Sequence, residues 1–180
     1  MGFDEDPGSV TRRRFIAVGA LAGAAVAAGC VSHGGGSESL SPEEAKTLAV
    51  LCDQIIPGDD YPSASQAGVV NYIDLQLARH YRPHLPIYRT GLAEAERLSI
   101  GHFGIALAAG SPKQQLTTAR ALEEQSPLFF DLLREHTMEG YYGSPRHGGN
   151  RDAVSWHMLG LTEPPVLGRA QYRSAEKPSS

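Results

Sequence analysis

Glu135, His136 and Glu139 fall within one helical turn, and two carboxylates beside an imidazole are a set that can hold a metal ion or move a proton. A di-iron carboxylate centre, however, needs Glu-x-x-His on two helices with further acids facing them, and no second copy is present. The triplet reads as a capped, hydrogen-bonded helix end. His80 and His84 have the i, i+4 spacing of a two-histidine metal face, but Pro83 between them breaks the helix that would bring them together. Gly148-Gly149-Asn150-Arg151 has the composition of an anion-cradling nest, yet it follows a helix and lacks the Lys-Ser/Thr of a phosphate loop. The chain holds no Cys-x-x-Cys-His, no Gly-x-Gly-x-x-Gly and no His-Glu-x-x-His, the patterns for haem attachment, dinucleotide binding and zinc. No catalytic residue, metal or cofactor of its own is therefore expected.

A different chemistry is written at the N-terminus. Thr11-Arg12-Arg13-Arg14-Phe15-Ile16 matches the twin-arginine export pattern, with Arg12, Arg13 and Phe15 as its recognition residues. The apolar run from Ile16 to Ala28 is too short to span a bilayer and suits a signal segment. Ala27-Ala28-Gly29-Cys30 resembles a lipoprotein processing site, which makes Cys30 the expected lipidated residue; Ala25-Val26-Ala27 also suits ordinary signal peptidase. Residues 1–30 are thus read as the signal and 31–40 as a Gly/Ser-rich tether that lets the domain stand off a membrane. The twin-arginine translocase carries folded cargo, and the expected destination is the periplasm, at the membrane.

Beyond the signal about 150 residues remain, enough for one domain with one core. Twenty acidic side chains against sixteen Lys and Arg leave a net charge of −4, and no basic stripe interleaved with aromatics marks a nucleic-acid partner. Ser41-Pro42, Ser111-Pro112 and Ser126-Pro127 each place a hydroxyl cap before a proline at the first helical position. Apolar spacing predicts helices over 42–55, roughly 65–80, about 87–99, 112–124 and 127–142, with Pro83 and Pro86 interrupting the chain between the second and third. Cys52 lies inside the first apolar stripe, as a small buried hydrophobe or a thiol for an intermolecular bond. No alternating strand pattern or repeat is present, so the fold is expected to be all-α, one compact helical domain over 41–161 with an extended tail over 162–180.

From Glu135 to Gly160 the chain changes character. A helix gives way to a loop with Gly143, Gly148 and Gly149, followed by Trp156, the one tryptophan. Glycines permit close approach of another chain, and a tryptophan near Tyr141 and Tyr142 is the composition of an interface anchor. Equally, Trp156 closes a core and the glycines serve turns. His136-Thr137, Glu139-Gly140-Tyr141-Tyr142, Pro145, Gly148-Gly149-Asn150, Asp152 and Trp156 together resemble the signature of the gluconate 2-dehydrogenase subunit 3 family. Leu51-Cys52-Asp53-Gln54-Ile55-Ile56-Pro57 and Ala67-Gly68-Val69 with Tyr72-Ile73-Asp74 resemble its N-terminal half.

The resemblance implies a non-catalytic small subunit of a flavin-dependent dehydrogenase. Its large partner, of the glucose-methanol-choline type, would hold FAD, and a multihaem cytochrome c with haem c is a possible third subunit. The small subunit would supply the export signal and help the flavoprotein fold. Glu139, Tyr141, Tyr142, Pro145, Gly148, Gly149, Asn150, Arg151 and Trp156 are the residues expected to meet that partner. The competing reading is a free-standing exported lipoprotein that acts as a helical binding module.

Overall fold

The computed structural model describes residues 39–161. Arg12, Arg13, Phe15, Cys30, the tether up to residue 38 and the tail from residue 162 lie outside the described residues. Among the described residues there are six α-helices and no strand, so the fold is all-α. The first helix, α1 (Pro42–Ile55), starts as its sequence requires: Glu44 N donates to Ser41 Oγ, and Ser41 N donates back to the Glu44 carboxylate at 2.7 Å. Leu48, Leu51 and Cys52 form its fully buried face, while Ala45 and Ala49 stay half-buried at the edge of the stripe.

The second helix, α2 (Val69–Ala78), is shorter than the apolar pattern predicts. Asp53 accepts from Ser65 N at 2.8 Å and from Ser65 Oγ at 2.7 Å, which holds the preceding residues in a turn of their own. Gly68 then takes φ 84°, outside helical space, so the helix begins only after it. A 3₁₀ turn over Arg82–His84 leads to α3 (Leu85–Phe103), which is longer than predicted at both ends. Pro86 does not interrupt it but sits in the first turn, where a missing N–H costs nothing.

Helices α4 (Pro112–Gln125) and α5 (Pro127–Tyr142) follow, and a five-residue α6 (Val154–Met158) closes the described chain. Ser111 begins α4 with its N–H donated to Gln114 Oε1 at 2.9 Å. Ser126 is not the hydroxyl cap its sequence predicts. It stands at φ −135°, ψ 57° as the hinge between α4 and α5, and its side chain caps nothing.

Helix α1 packs against α2, α3, α4 and α5, and the core forms around it from Leu48, Leu51, Ile73, Leu77, Leu92, Leu122 and Leu133. Each such side chain contributes about 1.5–3 kcal/mol by leaving water. Where α5 meets α3, the ring of Phe129 lies directly over Gly91; a Cβ there would overlap the ring. Glu96 ties three elements together by accepting from Thr47 Oγ1 and from Leu107 N at 3.1 Å. Cys52 is fully buried and accepts from Thr137 Oγ1 at 3.4 Å, and burial pushes its thiol pKa up to about 12. A thiol held neutral and out of solvent is a packing group, which removes the intermolecular-bond reading.

Candidate functional site

The glycine-rich segment folds back over the C-terminal half of α5. Gly149 lies flat on Gly140, so close that a Cβ on Gly149 would overlap the Gly140 carbonyl. Asn150 is fully buried and stitches the segment in both directions: its amide donates to Gly143 O at 2.8 Å and accepts from Ser155 N at 3.0 Å. Trp156 donates from Nε1 to Tyr142 O at 2.9 Å and is 9% exposed. Asn71 of α2 donates to Gly148 O at 2.8 Å, and Arg151 N donates to Ala67 O at 2.8 Å. The loop is thereby bound to both α5 and the start of α2. Its backbone is held in an uncommon shape, with Asn150, Asp152 and Ala153 at φ 43°, 57° and 53°. Asn tolerates left-handed backbone through its short polar side chain, but Ala has no such compensation.

Beside this clasp, α5 carries a polar cluster that runs from the buried His136 to the exposed Glu139. His136 stacks on Tyr81 with ring centroids 4.0 Å apart, and its Nδ1 lies 2.8 Å from the Tyr88 hydroxyl. His84 stacks farther out, 5.6 Å from His136, with its buried Nδ1 unpartnered. Glu139 accepts from the hydroxyls of Tyr72, at 3.2 Å, and Tyr81. Burial pushes the Tyr81 and Tyr88 phenols up, and it pushes His136 down from the ordinary histidine value. Neutral phenols and a neutral imidazole form a hydrogen-bonded strut between α2, α3 and α5.

The triplet of Glu135, His136 and Glu139 is thus divided: His136 faces Tyr88, Glu139 faces two phenols, and Glu135 is exposed. His80 and His84 also part, since His80 lines a surface recess and His84 turns in to stack. Among the described residues, no group of three or more His, Cys, Asp or Glu side chains converges as metal ligands would.

The residues expected to meet a partner fall into two sets. Tyr141, Gly149, Asn150 and Trp156 are buried against the subunit's own atoms; Tyr141, for example, donates to Pro62 O at 2.8 Å. Glu139, Tyr142 and Arg151 are exposed, with Pro145 and Gly148 half-buried. The structure adds a recess of about 230 Å³ that spacing alone did not reveal, lined by Tyr72, Gln76, Arg79, His80 and His147. It also adds the Tyr88–His136 pair. A histidine on an apolar helix face was the available signal, because a buried imidazole requires a hydrogen-bond partner.

The described residues thus form a helical domain clasped at one end by a glycine-rich loop. The chain belongs to the gluconate 2-dehydrogenase subunit 3 family, whose model matches residues 42–162. That family is a component of a dehydrogenase complex, and the chain is accordingly read as part of an oxidoreductase assembly. Searches of the curated proteins and of the solved structures return no match.

Proposed function

We propose that this chain is a non-catalytic small subunit that helps an FAD-bearing large subunit fold and carries it across the membrane by the twin-arginine route. The observation that carries the reading is the conjunction of a family match spanning the helical domain with a Thr-Arg-Arg-x-Phe-Ile signal at its N-terminus. A flavoprotein loaded with its cofactor must cross folded, and a partner bearing the signal supplies the address. The complex then resides in the periplasm, held at the membrane by lipid on Cys30 or by a cytochrome subunit with haem c. The buried clasp residues support this reading by presenting a rigid surface on which Tyr142 and Arg151 remain exposed.

The test is co-purification. The tagged chain should bring down a large protein whose absorbance spectrum shows oxidised flavin. Replacing Arg12 and Arg13 together by Lys should leave both proteins in the cytoplasm, because the receptor reads guanidinium geometry that Lys does not reproduce. Unchanged periplasmic levels of the double variant in fractionated cells would overturn the export assignment. Trp156→Ala separates clasp from contact: a buried clasp residue lowers the melting temperature of the isolated subunit, while a direct contact weakens capture of the flavoprotein without it.

A further inference from the structure

A groove of about 310 Å³, lined by no residue of the clasp, runs between α1, α3 and the 3₁₀ turn Leu107–Ala109. Its walls are largely apolar: Leu92, Ala93 and Ile100 of α3 meet Ala106 and Ala108. Ala93, Glu96 and Ile100 recur at spacings of three and four, which puts them on one helix face with Glu96 in its middle. Ile100 is 55% exposed, so a large aliphatic side chain of the groove stands in water.

Carboxylates line the same groove. Glu43 meets Lys46 at 2.8 Å, and Glu44 accepts from Ser41 N at 2.7 Å and lies 3.9 Å from Arg89. Glu96 differs from both. It accepts from Thr47 Oγ1 and from Leu107 N at 3.1 Å, two neutral donors, and no cation pairs with it among the described residues. Three carboxylates therefore share the groove with one lysine, and the one that ties its walls together carries a charge that no ion pair balances. A half-buried charge beside apolar atoms is screened less than one in open water, so an incoming cation gains more there.

We infer that this groove docks a segment of the FAD-bearing subunit in which a Lys or Arg stands beside aliphatic side chains, the cation reaching Glu96 and the aliphatic groups covering Ile100. The inference rests on the functional reading above. Charge and apolar surface together select the occupant. An anionic membrane surface is repelled by the carboxylates. A small amine answers the charge but leaves Ile100 in water. A protein segment satisfies both, since protein interfaces join an apolar centre to polar pairs at the rim. The net charge of −4 adds long-range attraction for a basic segment, which speeds encounter.

The experiment uses the mature chain and the FAD-loaded large subunit, with equilibrium binding measured at low and high sodium chloride. Glu96→Gln removes the charge and keeps an acceptor for Thr47 and Leu107. It should weaken binding by roughly tenfold at low salt and by less at high salt. Ile100→Asn leaves the charge in place and should weaken binding by roughly fivefold at either salt concentration. Where Glu96→Gln also lowers the melting temperature, Ile100→Asn decides, because that side chain is exposed and outside the buried core. Unchanged affinity in either variant overturns the proposal and leaves the functional reading standing. Self-association of the mature chain in sedimentation velocity that either variant abolishes assigns the groove to a second copy and also overturns it. Absence of any complex with the wild-type chain defeats the functional reading, and the proposal with it.

Discussion

The helical scaffold and the clasp that follows it are held by different forces. In α1–α5 most aliphatic side chains are buried, their backbones are helical, and several of the charges outside pair at i, i+3 spacing. Such a region is stabilised by many contributions of similar size, so no single one is decisive. From Gly143 to Met158 the apolar content is small, and order rests on Asn150, on the Trp156 bond and on the close fit of Gly149 to Gly140. Three non-glycine residues there sit in left-handed backbone, and Ala153, which has no polar side chain to compensate, opposes the fold by about 1–2 kcal/mol. The scaffold is held by many similar contributions, whereas the clasp is held by a few specific bonds.

This contrast can be broken in the scaffold first. Leu48→Ala should cost about 2–5 kcal/mol and lower the melting temperature of the whole domain, because Leu48 is fully buried in the core around α1. Asn150→Ala should cost about 2–3 kcal/mol by leaving Gly143 O and Ser155 N unsatisfied. Hydrogen exchange should accelerate chiefly in residues 143–158; equal acceleration throughout α1–α4 would show that clasp and scaffold are one cooperative unit.

The same substitution with opposite signs sharpens the comparison. Ala153→Gly should stabilise by about 1 kcal/mol, since glycine takes φ 53° without strain. Ala93→Gly, on an exposed helical position of α3, should destabilise by about 0.5–1 kcal/mol. Paired denaturant titrations decide this, and a loss of stability in both variants would mean that Ala153 is not strained.

The smallest expected effect is a slope with pH. Burial lowers the pKa of His136 in the folded state, while the nearby Glu139 and Glu135 charges oppose that and His84 adds to it. Above the unfolded value of about 6.5 both states are neutral and the contribution is complete. As pH falls below that value the unfolded chain takes up a proton that the folded one does not, and stability declines until the folded pKa is passed. Melting temperature measured from pH 7.5 to 5 should fall less in His136→Gln than in the parent; parallel curves would exclude His136 as the source.

The helix starts at Ser41 and Ser111, the length of α5 and the family signature were all legible, since caps, proline positions and motif spacing are local properties. The start of α2 was not. It depends on Asp53 reaching Ser65 from a different element and on the φ of Gly68, neither of which is encoded in apolar spacing. Ser126 illustrates the same limit, because a Ser-Pro pair also fits a hinge between two helices when the chain must turn there.

What the sequence determined by itself was composition at each site: a glycine loop, an imidazole on an apolar face, arginines in two separate stretches, a single tryptophan. Only the tertiary structure decided which way these faced. Trp156 and Asn150 turned inward because their polar atoms found backbone partners on the end of α5, and His136 because Tyr88 came within hydrogen-bond reach from α3. Arg82 and Arg146 stayed outward, with no ion pair among the described residues. Burial of a polar group depends on a partner that long-range packing must deliver, and local sequence does not specify that partner.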